Sequence, residues 1–200
     1  MNVHSEAGEM KNSNKREEIL RAALELIAEQ GFHGAPMAMI AKKAGVGAGT
    51  IYRYFPCKNS LIAELYQELE NEMTSAVEEG YPAGEPIEAC FLHFGSTLLK
   101  YFITNPLVFR YVEQYHNSPY GVSIRRDRIH GKTEDPNILR SILEQGRKDK
   151  DLKDLPLFIQ FALALGPLLM LTREHILGLA ELDDNLINQT IKASWDAIKR

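Results

Sequence analysis

The sequence predicts an all-α protein. Apolar residues recur at three- and four-residue spacing through most of its 200 residues, and Gly/Pro clusters separate the periodic stretches. No run of alternating apolar and polar residues competes with that pattern. The first helix is expected over residues 15–30, with Ile19, Leu20, Ala23, Leu24, Ile27 and Ala28 on one side and Gly31 ending it. Two short helices follow, at about 36–44 and 48–54, and Phe55 and Pro56 close the second. A longer fourth helix, residues 58–79, carries Leu61, Ile62, Leu65, Tyr66, Leu69, Met73 and Val77 along one face. The clearest break in the chain is GYPAGEP at 80–86.

Beyond the break, Pro86 suits the first turn of a fifth helix with the stripe Ile87, Cys90, Phe91, Phe94, Leu98 and Phe102. Pro106 opens a sixth helix, which ends near 117, before a polar, basic segment at 124–132. Asp135 and Pro136 are expected to cap a seventh helix, residues 136–148. The eighth, 156–177, is apolar on nearly every face, and Pro167 should kink it near Leu163. Its stretch 155–171 is slightly short of a membrane span, holds Gln160 and is interrupted by Gly166-Pro167, so a helix buried on several sides is expected instead. The ninth, 183–199, places Leu186, Ile187, Ile191, Trp195 and Ile198 together. The count is about nine helices.

Residues 31–61 hold the most specific local pattern. Ala41 is small where a neighbouring backbone must come close, and Gly45 sits where a helix end needs a positive φ. Pro36 suits a first turn, Gly47 can cap the next helix, and Ile40, Ala44, Val46 and Ile51 supply the apolar contacts that fix the crossing. Together these describe a helix-turn-helix, which lays its second helix in the major groove of DNA. Charge agrees: residues 11–60 contain eight Lys and Arg against four Glu, a local net of +4, so the rest carries −8 in a chain of net −4.

The segment from Lys15 to Leu61 resembles the N-terminal domain of TetR-family transcriptional regulators. The matching residues are Lys15 to Leu20, Ala22-Ala23, Gly31-Phe32, Ile40-Ala41 and Ala44-Gly45-Val46, then Gly49 to Phe55, Lys58 and Leu61. The resemblance implies three parts: a disordered tail at 1–11, a DNA-binding domain at 12–72 and a ligand-binding and dimerisation domain at 73–200. It implies DNA contacts from Lys15, Arg16, Pro36, Ala48, Thr50, Tyr52, Arg53, Tyr54 and Lys58, with Tyr54 equally readable as a packing residue. The chain departs from the family where Ser-Lys often opens the third helix and has Gly47-Ala48 instead. It also has Ala35-Pro36 and Ala38-Met39 where polar residues are usual in the second. Direct base readout is therefore expected to be thin, with Ala48 touching a thymine methyl and DNA shape carrying more weight.

The family also implies a homodimer on a palindromic operator, released by a small apolar or aromatic effector. Candidate pocket residues are Phe91, Phe94, Leu98, Phe102, Phe109, Tyr115, His116, Phe158, Phe161 and Met170. Candidate interface residues are Phe161, Leu165, Leu168, Leu169, Ile187, Ile191 and Trp195. A filled aromatic core is the plain alternative to a pocket. No cofactor or metal is expected, since six histidines and two cysteines show no ligand-pair spacing. Reduced cysteines and an N-terminus without an apolar signal core point to the cytoplasm. No convergent set of acid, base and nucleophile marks an enzyme. The rivals are an all-α binding protein or enzyme with an idle helix-turn-helix, or a regulator governed by a protein partner or by oxidation of Cys57. Arg125, Arg126, Arg128 and Lys132 read as a solvated loop, and the glycine-rich 45–49 lacks the strand and Lys of a nucleotide loop.

Overall fold

The computed structural model describes residues 3–130 and 137–200, with the backbone alone at 3–13 and at 129. The described residues form ten helices and no strand beyond an isolated bridge between Leu152 and Lys199. They are α1 (Val3–Gly34), α2 (Met37–Lys43), α3 (Ala48–Tyr54), α4 (Lys58–Glu78), α5 (Ile87–Thr104), α6 (Pro106–His116), α7 (Val122–Ile129), α8 (Ile138–Lys148), α9 (Leu157–Ile176) and α10 (Asp184–Ile198). The helix that the sequence pattern did not predict is α7, which forms in the basic segment expected as a loop. Of that basic run, Lys132 lies outside the described residues, as do Asp135 and Pro136; the cap of α8 is Asn137, which accepts from Arg140 N. At the other end of the chain, α1 is helical from Val3, across much of the expected tail; residues 1 and 2 are outside the described residues.

Two compact units divide the chain inside α4. One takes the residues up to Leu69 together with Leu107–Val122, the other Glu70–Pro106 and Ser123–Arg200. In the first unit, α1 packs on α2 and α2 on α3. Its centre is Ile19, Ala23, Ile27, Ile40, Ile51, Phe55, Leu61 and Ile62, all fully buried. Most of α6 belongs here through its aromatic side. Tyr111 Oη donates to Ile62 O at 2.8 Å, Gln114 Nε2 donates to Ala28 O at 3.2 Å, and Tyr115 stacks on Tyr66 at 3.9 Å between centroids. A face that pairs so many rings and carbonyls buries its polar atoms with partners.

In the second unit, α5 packs on α8, α9 and α10. Its core runs from Val77 through Phe91, Phe94 and Leu99 to Leu139, Leu143, Ala164, Leu168, Ile191 and Trp195. Gly95 is what lets α5 and α10 approach, because a Cβ there would lie 2.8 Å from Ile191 Cγ2. Only one row of α9 is buried, Gln160, Ala164, Leu168 and Thr172, at four-residue spacing. The expectation of burial on several sides is thus corrected: Phe158, Ala162, Gly166, Pro167 and Met170 stay exposed. By length and composition alone α9 could cross a membrane, but its buried row is packed on α5 and α10. Pro167 lies inside α9 without ending it.

The helix ends show why local sequence works well for turns. Gly31 breaks α1 with φ 73 and ψ 173. Pro36 and Pro86 stand one residue earlier than expected, as N-caps rather than in first turns, because their ψ of 152 and 144 is extended. Asp183 caps α10, accepting from Leu186 N at 2.8 Å.

Candidate nucleic-acid interface

Gly45 makes the turn of the helix-turn-helix. At φ +66 it follows Ala44, its N–H donates to Lys42 O at 3.2 Å, and Val46 N–H donates to Ala41 O at 2.9 Å. That pair of bonds satisfies the last carbonyls of α2, the usual role of a left-handed residue there. Gly47 then caps α3 in extended conformation, its carbonyl accepting from Thr50 and Ile51. Met37, Ile40, Ala41 and Ile51 are buried, as is Phe55, whose ring lies 5.7 Å from the Arg16 guanidinium. The crossing of α2 and α3 is therefore set by carbon packing, with their other faces left to solvent.

Those outward faces carry Ala38, Met39, Lys42 and Lys43 on α2 and Ala48, Gly49, Tyr52 and Arg53 on α3, next to exposed Pro36. Tyr52 is 52% exposed and Met39 40%. Of the DNA contacts expected from sequence, Pro36, Ala48, Tyr52 and Arg53 are on this face, while Thr50 is half-buried. Lys15 is half-buried on α1, and Tyr54 is half-buried with the Arg53 guanidinium over its ring at 5.4 Å.

Two expected contacts are tied up within the unit. Arg16 pairs with Glu64 at 2.8 Å and also with Glu68, clamping α1 to α4. The bond to Glu64 outweighs burial and raises its pKa. Lys58 donates to the Phe32 carbonyl, and burial lowers its pKa. Both hold the scaffold. Sequence reasoning missed Arg21 and Lys42, exposed cations of the same unit; their signal was helical position, since Lys42 is one turn from Ala38. Lys43 pairs with Glu25 at 2.7 Å. Cys57 is exposed at the start of α4, where hydrogen bonding to Ser60, backbone first, pulls its thiol down.

The expected pocket residues come from both units. Phe109, Tyr115 and His116 belong to the first unit, and Tyr66 Oη lies 3.3 Å from His116 Nε2. In the second unit, Phe91, Phe94 and Phe102 are buried, Phe91 against Trp195 at 5.4 Å, with Leu98 and Phe161 half-buried. Phe158 and Met170 are surface residues, 48% and 49% exposed. Two open clefts are lined by other residues, Glu18, Arg21 and Lys43 in one unit and Glu144, Arg147 and Lys150 in the other. The expected interface residues differ in exposure. Leu168, Ile187, Ile191 and Trp195 are buried in their own chain, and Phe161, Leu165 and Leu169 are half-buried. The large apolar side chains exposed on these helices are Phe158, Met170 and Leu186. A strong apolar stripe is the first to be covered by the chain's own core, so periodicity does not separate core residues from those left on the surface.

Comparison with known proteins places both parts. Residues 19–65 match the family of bacterial regulatory proteins, tetR family, and residues 86–199 match a tetracyclin repressor-like C-terminal domain. Over 62 residues the chain is 42% identical to a fatty acid metabolism regulator protein of Bacillus subtilis, a match covering 31% of this chain and 32% of that protein. Along 92% of its length it is 23% identical to an uncharacterized HTH-type transcriptional regulator of Haemophilus influenzae, covering 95% of the latter. A crystal structure of a TetR family transcription regulator from Marinobacter aquaeolei VT8 superposes with a TM-score of 0.83 at 22% identity, over 96% of this chain and 98% of that one. With its helix-turn-helix formed and both segments matched in order, the chain belongs to the tetR family of bacterial regulatory proteins, as a DNA-binding transcriptional regulator and not an enzyme.

Proposed function

We propose that this regulator is a cytoplasmic homodimeric repressor that holds a palindromic operator and leaves it when a small apolar or aromatic effector binds. The observation that carries the dimer is the exposed apolar row of α9, Phe158 and Met170, with Leu186 of α10. No ionisable side chain interrupts α9 between Leu157 and Leu171, which suits burial against an identical surface. Two copies present two α3 helices to half-sites one helical turn apart or a multiple of it.

The effector reading rests on the second unit. There Gln160 Oε1, Ser194 Oγ and Trp195 Nε1 are buried and make no hydrogen bond among the described residues. They sit on the two helices that pack against aromatic-rich α5. Unmatched polar atoms beside rings are what a mostly apolar ligand with one polar end would satisfy. Such a ligand enters by parting packed side chains and so selects a minor conformation, moving the equilibrium away from the operator-bound state.

The deciding experiment measures binding to the DNA upstream of the chain's own gene across salt concentrations. A regulator gives a sequence-preferring complex that weakens steeply with salt; absence of any such complex sinks the reading. A thermal-shift screen of apolar and aromatic compounds, repeated with Phe94→Ala, tests the effector. A hit that survives Phe94→Ala unchanged speaks against this site.

A further inference from the structure

Much of the groove face of the helix-turn-helix is carbon, set between a few cations. On α3 the outward residues are Ala48, Gly49, Tyr52 and Arg53, and from α2 come Ala38, Met39, Lys42 and Lys43, next to Pro36. The groups that could read a base edge by hydrogen bonds are few. Thr50 is half-buried, the Arg53 guanidinium lies over the Tyr54 ring at 5.4 Å, and Lys43 is paired to Glu25 at 2.7 Å. Beside the Lys42 and Arg53 cations, what faces outward is the Ala48 methyl, the Gly49 backbone, the Met39 thioether at 40% exposure and the Tyr52 ring with its hydroxyl, 52% exposed.

Gly49 adds an independent observation. It is the second residue of a seven-residue helix, where glycine holds the helical backbone less firmly than alanine would. A Cβ built there meets nothing within 4 Å in the free protein. Packing does not require the glycine. A surface that must come close to α3 would require it.

We propose that this face selects its operator through thymine methyl groups, so that the half-site is A·T-rich where α3 docks. The inference rests on the reading that α3 enters the major groove. In that groove every base pair shows donors or acceptors, but the thymine methyl is the one apolar group. Carbon pressed against guanine, cytosine or adenine edges leaves polar atoms without water or partner, which is costly. Pressed against thymine methyls, it buries apolar surface instead. Gly49 lets the α3 backbone descend until Ala48 and Met39 reach those methyls.

The test uses the full chain and duplexes selected from a random-sequence library. The winning half-site is resynthesised with deoxyuridine in place of each thymidine facing α3, which removes the methyl and nothing else. The expected result is thymine at two or more such positions, with each replacement weakening binding about three- to fourfold. The salt dependence should stay unchanged, because phosphate contacts are untouched. Met39→Ala should abolish the sensitivity at one position. Gly49→Ala should melt at higher temperature yet bind at least roughly tenfold more weakly. A sequence-preferring complex indifferent to deoxyuridine overturns the methyl reading while leaving the regulator intact. Absence of any sequence-preferring complex overturns both.

Discussion

Both the outward face of α2 and α3 and the outward row of α9 leave apolar side chains in water, but their surroundings differ. Met39 and Tyr52 share the outward faces of α2 and α3 with exposed Lys42 and Arg53, whereas no ionisable side chain lies between Leu157 and Leu171 of α9 and the cation at Met170 is Arg173, which donates to its Sδ at 3.4 Å. Carbon ringed by cations fits a polyanion that also offers apolar groups, since the charges give affinity and the carbon gives discrimination. Carbon with few charges near it fits another carbon surface, where any unpaired ion would have to be desolvated. Exposure alone is the same in both places. The charge around it separates the partners.

The most damaging change to this contrast is Phe158→Glu with Met170→Glu. Charging the neutral face is expected to weaken self-association by roughly a hundredfold or more, read by light scattering and sedimentation over a concentration series. The lone chain should keep its melting temperature, since both side chains are about half exposed. A dimer that persists would place the interface elsewhere.

Alkaline pH tests the interiors beneath the two faces. Burial is the larger cause holding the pKa of Tyr81 and of Tyr101 up to about 12, helped by Cys90 for the first and Glu72 for the second. Burial drives Tyr111 higher still. In the unfolded chain these phenols ionise near pH ~10, so above that the folded form binds more protons. Stability is therefore full below about pH 10 and is lost as pH rises through 12. Tyr111→Phe should flatten the decline by up to about 1.4 kcal/mol per pH unit, measured by urea unfolding between pH ~9 and ~11. An unchanged slope would mean Tyr111 does not govern the first unit's alkaline limit.

The same turn occurs at Gly45 in the first unit and at Lys150 and Gly178 in the second. Gly45 and Lys150 occupy the same left-handed position, φ +66 and φ 67, each followed by a residue whose N–H returns to a carbonyl five residues back. A Cβ at Gly45 meets nothing within 4 Å, so Gly45→Ala is charged only for backbone strain, about 1–2 kcal/mol. Lys150→Gly should gain about 0.5–1 kcal/mol, because relief of strain is partly offset by entropy of the unfolded chain. Opposite shifts in denaturant midpoint would show that φ preference alone governs both turns. Destabilisation by both substitutions would mean that the Lys150 side chain stabilises the fold. The smallest effect is expected from Lys42→Ala: a few-fold weaker DNA affinity, a salt slope shallower by about 0.9 for each phosphate that Lys42 neutralises, and unaltered sequence preference.

Local chemistry made the helix-turn-helix legible. The positive φ at Gly45, the cap at Gly47 and the buried Ile40, Ala41 and Ile51 follow from neighbours within a few residues. The second unit was less legible. Helix spacing identified the stripes of α9 and α10 but not what covers them, so Leu168, Ile191 and Trp195 looked like an interface and proved to be core. The aromatics of α5 and α6 offered as pocket lining are divided between the units, Phe91 in the second and Phe109 in the first, a division no local pattern marks. Arg16 and Lys58 looked like free cations until Glu64 and the Phe32 carbonyl, far along the chain, came beside them.

Sequence was enough for the helical class, the turn chemistry of residues 31–61, the basic first quarter and the kinship with its family. These depend on side-chain periodicity, φ preferences and charge, all encoded over a few residues. Long-range packing was needed to establish that Met39 and Gly49 face outward among the groove residues, that α6 joins the DNA-binding unit, and that α9 keeps one apolar row uncovered. Burial is the physical reason. Which carbon stays in water is set by contacts between residues tens of positions apart, and no local pattern carries that information.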